Sequence, residues 1–138
     1  MSKNSSVEIV EAFWADVWQS PQDPEAVDRY VTEDFVITSG GRDIESRQGF
    51  KCWVKEFQSK ITDLEFDVIE SFQNEDGSRV ASRWRIRGRN NGILGTAPDQ
   101  RPIEFTGTAV WAVRPDGKLQ HNWVERSAWE LYQRLKGI

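Results

Sequence analysis

Hydrophobic periodicity changes once along this chain, near residue 64, and that switch confines what it can fold into. Before it, apolar residues recur every three to four positions; after it, they recur every second position. Helices that precede a run of consecutive strands cannot serve as crossovers between parallel strands. The arrangement open to such a chain is α+β, with helices packed on one face of a curved antiparallel sheet. A sheet curved strongly enough to wrap its helices makes a cone with a central pocket.

The helical half has clear punctuation. Val7, Val10, Phe13, Trp14, Val17 and Trp18 form one stripe over residues 5–20, with Glu8, Glu11 and Asp16 turned away. Ser5 and Glu8 have the spacing of a capping box, and Pro21 stops the helix. Asp23-Pro24-Glu25 opens a second helix with Ala26, Val27, Tyr30 and Val31 on its apolar side. An extended piece at Phe35-Val36-Ile37 breaks at Ser39-Gly40-Gly41. A third helix starts near Ser46 and buries Phe50, Trp53, Val54, Phe57 and Ile61. These are the three N-terminal helices of the expected cone.

In the strand half, Leu64, Phe66, Val68, Glu70 and Phe72 alternate up to a hairpin turn at Asn74-Glu75-Asp76-Gly77. Val80, Ser82, Trp84 and Ile86 oppose Ala81, Arg83, Arg85 and Arg87 on the next strand. Ile103, Phe105, Gly107, Ala109, Trp111 and Val113 share one face of the third. Pro115-Asp116-Gly117 turns the chain into the last strand, and Leu131, Tyr132 and Leu135 mark a final helical turn or two. On the last strand, alternation from Leu119 puts His121, Trp123, Glu125 and Ser127 inward, and Gln120, Asn122, Val124, Arg126 and Ala128 outward.

At 138 residues the sequence suits one domain spanning 1–138. A net charge of -4 argues against nucleic acid as a partner, leaving the row Arg83, Arg85, Arg87 and Arg89 as a solvated or interfacial strand face. No apolar run nears the roughly 20 residues of a membrane span, and Met1–Ser5 does not open a signal peptide. Cys52 and His121 are the sole cysteine and histidine, so no disulfide or Cys/His metal site is expected. The setting that fits is reducing and cytoplasmic.

Seven tryptophans are a heavy load for so short a chain and point to an aromatic cavity for a small hydrophobic molecule. Trp84, Trp111, Trp123, Phe105, Trp53, Tyr30 and Ser127 are the candidate substrate-binding residues. Glu125 and His121 are the candidate catalytic pair. A carboxylate inside an aromatic cavity has its charged form disfavoured, which suits proton transfer to and from carbon, and an imidazole can polarise an oxygen. The plainer alternative is that Glu125 is a surface or salt-bridged group and the tryptophans are core. No metal or cofactor motif is present: Gly88-Arg89-Asn90-Asn91-Gly92 follows a strand but opens no helix, and Ser127 lacks a histidine and acid at readable spacing.

The segments Asp34-Phe35-Val36, Gln48-Gly49-Phe50-Lys51 and Trp84-Arg85-Ile86-Arg87-Gly88 resemble the SnoaL-like polyketide cyclases and their ester cyclase relatives. So do the loop from Gly92 through Leu94-Gly95, Pro98 and Arg101-Pro102-Ile103, then Thr106-Gly107, and the ending Asp116-Gly117-Lys118-Leu119, Trp123 and Leu131-Tyr132-Gln133-Arg134-Leu135. This family lies in the ketosteroid-isomerase-like (nuclear transport factor two-like) superfamily. The resemblance implies a pocket for an oxygenated hydrophobic substrate, cofactor-free acid–base chemistry such as aldol-type cyclisation or isomerisation, and a homodimer. Ile37 and Thr38 stand where relatives commonly carry an aspartate and a histidine, Asn90 where a histidine often follows, and Ser127 at the usual acid/base aspartate, leaving Glu125 as the nearby carboxylate. A non-catalytic ligand-binding or scaffolding domain is the alternative. Epoxide or ester hydrolysis is a further one, weakened because Arg83 and Arg85 face outward and no aspartate faces inward on the last strands. The homodimer is expected to pack through the outer sheet face, with Val110, Ala112, Val124 and Ala128 at its centre and Arg83, Arg85, Arg87, Arg126, Thr106 and Thr108 around them.

Overall fold

The computed structural model describes residues 5–137; the leader reading made for Met1–Ser5 falls almost wholly outside that range. Helix α1 (Ser6–Phe13) begins at the expected capping box. Ser5 Oγ accepts from the Glu8 amide at 3.1 Å, and Glu8 accepts from the Ser5 amide at 2.9 Å. The helix widens into a π-helical turn over Trp14–Trp18, and the wider turn puts Trp14, Val17 and Trp18 on the buried side together. Asp23 caps a short 3₁₀ turn (Pro24–Ala26) that runs into α2 (Val27–Tyr30). Ser46 caps α3 (Arg47–Ser59), accepting from the Gly49 amide at 3.0 Å. Lys51 on α3 donates to Glu25 at 3.1 Å and Asp28 at 2.8 Å, which ties α3 to the α2 region through a pinned ammonium.

Six strands form one curved, unclosed sheet: β1 (Val31–Ser39), β2 (Arg42–Glu45), β3 (Ile61–Gln73), β4 (Arg79–Asn90), β5 (Pro102–Val113) and β6 (Leu119–Arg126). Their spatial order is β2-β1-β6-β5-β4-β3. The α+β cone expected from the period switch is therefore the fold, with two differences. The brief extended piece at 35–37 is a nine-residue strand paired with β2 through a hairpin, because Gly40 and Gly41 both take positive φ (60° and 76°) and turn the chain tightly instead of merely ending it. The sheet is also mixed: β1 runs parallel to β6 while the other pairs are antiparallel. A fourth helix, α4 (Ala128–Lys136), buries Leu131 and is fastened by Arg134 to the Glu104 carbonyl at 2.6 Å and Arg101 to the Leu135 carbonyl at 2.5 Å. No helix among the described residues is long and apolar enough to cross a membrane.

The core lies between the concave sheet face and α1 through α3, and it is dominated by rings. Trp111 is fully buried, with Phe13 at 4.8 Å, Trp14 at 5.4 Å and Phe35 at 6.2 Å between ring centroids. Such edge-to-face and offset pairs each contribute roughly 0.5–1.5 kcal/mol beyond their buried area. Trp14 also donates to Ser82 Oγ at 3.1 Å, and Ser82 shares a 2.8 Å bond with Ser71, so this polar pair inside the core is satisfied.

On the convex face the arginine row meets acids from β3: Arg83 with Glu70 at 2.7 Å, Arg85 with Asp67 at 3.4 Å, and Arg87 with Asp67 at 3.2 Å. The row is a neutralised strand face, as its alternation suggested. Exposed pairs of this kind contribute little stability individually.

Candidate functional site

Strand β6 decides which side chains enter the cone, and it does not follow simple alternation. Val113 pairs with Leu119 but Ala112 pairs with His121, so Gln120 is the extra residue of a β-bulge. Opposed residues of an antiparallel pair share a face. Val113, Trp111, Ala109 and Gly107 point inward, and they bring Leu119, Asn122, Val124 and Arg126 with them. His121, Trp123 and Glu125 pair with Ala112, Val110 and Thr108 on the convex side. The sequence expectation carried the inward face from Leu119 straight through to Ser127; the bulge reverses it from His121 onward.

The concave cavity is walled by Trp14, Trp18, Trp53, Phe57, Phe66 and Trp84, with Ile37, Phe50, Ile86 and the β6 trio Asn122, Val124 and Arg126 completing it. Trp53 stacks on Phe57 at 5.3 Å, and Trp84 stacks on Phe66 at 5.7 Å. The cavity volume is only 20 Å³, room for about one water, so any larger occupant must rotate ring side chains aside.

Gly107 explains how Trp84 reaches its place. The indole lies flat across the backbone of its cross-strand partner, and a Cβ there would sit 2.2 Å from Trp84 Cζ2. Glycine supplies the bare backbone that this close approach requires.

Several side chains that line the cavity carry polar groups. Asn122 is 3% exposed, and its Oδ1 is buried with no hydrogen-bond partner among the described residues. The Nε1 of Trp84 is likewise buried and unpartnered. Arg126, half-buried, lays its guanidinium over Phe57 at 4.9 Å and Trp53 at 5.5 Å. It forms no ion pair within 4.0 Å among the described residues. Burial pulls its pKa below the ordinary arginine value, and neighbouring Glu125 offsets part of that.

Of the residues singled out from sequence, Trp84 and Trp53 line the cavity. Trp111 and Phe105 are buried inward but stand behind the wall; Phe105 touches Trp84 and Phe57 edge-on at 6.1 and 6.3 Å. Tyr30 is occupied elsewhere, bonding through its hydroxyl to Asp16 and holding that carboxyl below its usual pKa. Ser127 sits outside, accepting from the Thr106 amide at 3.1 Å. Glu125 is exposed beside Thr108 and Ser127 in a shallow convex groove. Trp123 is 37% exposed and stacked on His121 at 3.9 Å, with Arg79 over its ring at 5.6 Å. His121 Nε2 lies 2.8 Å from Thr38 Oγ1, which donates to Asp43 at 2.6 Å. The expected inward pair Glu125 and His121, and a cavity shared by Trp84, Trp111 and Trp123, are thus both corrected by the Gln120 bulge.

Asn122 and Arg126 were assigned outward from sequence. The signal that could have recovered them is Val124, a β-branched residue of the same parity that favours burial, set against the amphipathic Trp123. A second groove, of 860 Å³, runs between α4 and the ends of β3 to β5. Its arginines are engaged: Arg87 with Glu65 at 3.7 Å, Arg89 with Asp63 at 4.0 Å, Arg101 with Asp99 at 2.9 Å, and Arg134 with a carbonyl. It reads as a solvated seam that docks α4.

The family profile of SnoaL-like polyketide cyclases matches residues 8–135. The chain belongs to the SnoaL-like polyketide cyclase family. Solved structures agree on its fold. A candidate SnoaL-like polyketide cyclase from Jannaschia sp. CCS1 superposes with a TM-score of 0.87 at 16% identity, covering 100% of this chain and 97% of that one. A candidate polyketide cyclase from Acidithiobacillus ferrooxidans gives 0.78 at 24% identity over 99% of both chains. A protein with a ketosteroid-isomerase-like fold from Catenulispora acidiphila, solved in complex with trimethylamine, gives 0.74 at 16% identity over 95% of this chain and 93% of its own. No functionally curated protein matches the sequence significantly.

Proposed function

We propose that this SnoaL-like domain binds a small, hydrophobic, oxygen-bearing molecule in its concave cavity. The observation that carries the reading is Asn122: a buried amide with an unpartnered oxygen, in a cavity whose walls are mostly aromatic. A buried polar atom without a partner costs about 1–3 kcal/mol, and a ligand hydroxyl or water that donates to it recovers that cost. Any reaction in this cavity would be cofactor-free chemistry on an oxygenated carbon skeleton, an aldol-type cyclisation or an isomerisation. Asn122, Trp84 and Arg126 offer N–H donors to a developing enolate oxygen. No carboxylate lines the cavity among the described residues, so binding is better supported than proton abstraction. A reducing, cytoplasmic setting, consistent with the lone Cys52, belongs to the same proposal. Titration calorimetry with a panel of naphthyl acids, amides and ketones is expected to find saturable binding to the wild type. Val124→Phe, which fills the cavity, is expected to abolish it while circular dichroism stays native. Binding that persists unchanged in the filled variant would place the ligand elsewhere.

The second part of the proposal is a homodimer through the convex face. Phe72, Ala81, Val110 and Trp123 pair in register across four adjacent strands and make one apolar row. Phe72 is 57% and Trp123 37% exposed, with Ile69 at 45% beside them. The bulge moves the centre of this patch from Val124, which is buried inward, to Trp123, and Ala128 lies on α4. Two such rows packed back to back bury each other under two-fold symmetry, with the ion-paired arginines as rim. Light scattering should return twice the 16.0 kDa chain mass. Trp123→Glu should return the monomer, and a monomeric wild type at micromolar concentration would defeat the assignment.

A further inference from the structure

We infer that the cavity's ligand carries an anionic oxygen group, a carboxylate or a resonance-stabilised enolate, on a flat apolar body, and that Arg126 is its counter-ion. The inference rests on the ligand-binding reading above and specifies its chemistry. Its first support is geometric. Arg126 enters the cone on the inward side of β6, two residues beyond Val124 and four beyond Asn122, so the guanidinium and the amide lie on one strand face. Both line the same cavity.

The second support is what the guanidinium lacks. The other arginines of this strand neighbourhood, Arg83, Arg85 and Arg87, face the convex side and each has a carboxylate within 3.4 Å. Among the described residues the guanidinium of Arg126 lies over the faces of Phe57 and Trp53 and has no carboxylate within 4.0 Å. Its sequence neighbour Glu125 is directed to the opposite face of the sheet and does not pair with it. Arg126 is half-buried, and contact with two ring faces only partly replaces the solvation its guanidinium gives up. A cation held this way beside apolar rings has unused N–H donors, and a carboxylate completes it by accepting from a parallel pair of them.

The third support is the donor arrangement. A carboxylate or enolate on Arg126 would lie among the Trp53, Phe57 and Trp84 rings, which accept a flat skeleton by stacking. Trp84 Nε1 is an unpartnered N–H donor able to bond an anion, and Asn122 Oδ1 is an unpartnered acceptor able to accept a hydrogen bond from a ligand hydroxyl. The site thus reads as one anion subsite, one hydroxyl acceptor and an aromatic clamp. The seam at α4 does not compete for this role, since each of its arginines is already engaged.

The test uses isosteres on the intact protein at pH 7. Wild type is titrated by calorimetry with 2-naphthoate, with 2-naphthamide, and with 2-hydroxy-1,4-naphthoquinone, which is an enolate at that pH. Naphthoate or the quinone enolate should bind at least about tenfold more tightly than the neutral amide, the increment expected of a charge-assisted hydrogen bond in a desolvated site. Whichever anion binds more tightly identifies carboxylate or enolate as the natural group, and either order supports the inference. Arg126→Met should erase the preference while amide binding survives, and Arg126→Lys should restore part of it. Binding of both anions by the wild type no tighter than that of the amide would overturn the anion inference and leave the ligand-binding reading intact. Absence of binding by all three to a folded protein would overturn both. The wild-type comparison needs no variant, so instability of Arg126→Met does not weaken it.

Discussion

Gly107→Val is expected to be among the most damaging single substitutions in the domain, lowering unfolding free energy by about 3 kcal/mol or more through overpacking. A Cβ at this position overlaps three atoms of the Trp84 indole, at 2.2, 2.6 and 2.7 Å. A flexible side chain would step aside, but this ring is fixed by Phe66 at 5.7 Å and Phe105 at 6.1 Å and has no free volume to enter except the small cavity. Valine therefore must either push the indole into the cavity or part β4 from β5. Urea unfolding with tryptophan fluorescence distinguishes these outcomes. Parting the strands lowers the midpoint and changes the slope, whereas a displaced ring lowers the midpoint alone and abolishes ligand binding. A midpoint within error of wild type would mean that Trp84 does not lie across Gly107.

Trp111→Ala is expected to cost about 3–5 kcal/mol, the range for removing a large aromatic from a core that cannot collapse around the space. Trp111 is fully buried and is the point where α1, β1 and β5 meet, through Phe13, Phe35 and Trp14. Against a total stability of about 5–15 kcal/mol, that loss leaves a marginal protein. Trp111→Phe is the informative companion. It keeps a ring against Phe13 and also removes the buried indole N–H, which has no partner among the described residues. Its loss should be less than half that of alanine. Equal losses would mean that the contacts, not the volume, had been misjudged.

These two positions show how far the sequence carries. The period switch near residue 64 was enough for the α+β cone, because helix and strand periodicities there are long and uninterrupted. Caps were legible where a polar side chain reaches a nearby amide, as at Ser5 and Asp23. The hairpin turns at Asn74–Gly77 and Pro115–Gly117 were legible from their turn residues. Trp84, Trp111 and Phe105 faced inward as alternation required, because β4 and β5 pair without a bulge between them.

The site was less legible, for a local reason. A bulge consumes one residue with no side-chain signature, and Leu119, Trp123 and Val124 are all apolar enough to claim the inside. Read from Leu119 forward the strand gives Glu125 to the cavity; read backward from Val124 it gives Arg126. Only the pairing with β5 chooses between them. The parallel β1–β6 pair was illegible for a related reason, since it joins segments some eighty residues apart that carry no mutual signal.

The central claim is that Asn122 and Arg126, not His121 and Glu125, face the ligand. Two-dimensional ¹H–¹⁵N spectra of the protein titrated with 2-naphthoate test it directly, through the tryptophan indole and arginine Nε resonances. The expected result is saturable shifts at the Trp84 and Trp53 indoles and at Arg126 Nε, with the convex-face Trp123 and the exposed Trp129 unmoved. Shifts centred on Trp123, with Trp84 and Arg126 silent, would contradict the claim and return the site to the other face of β6.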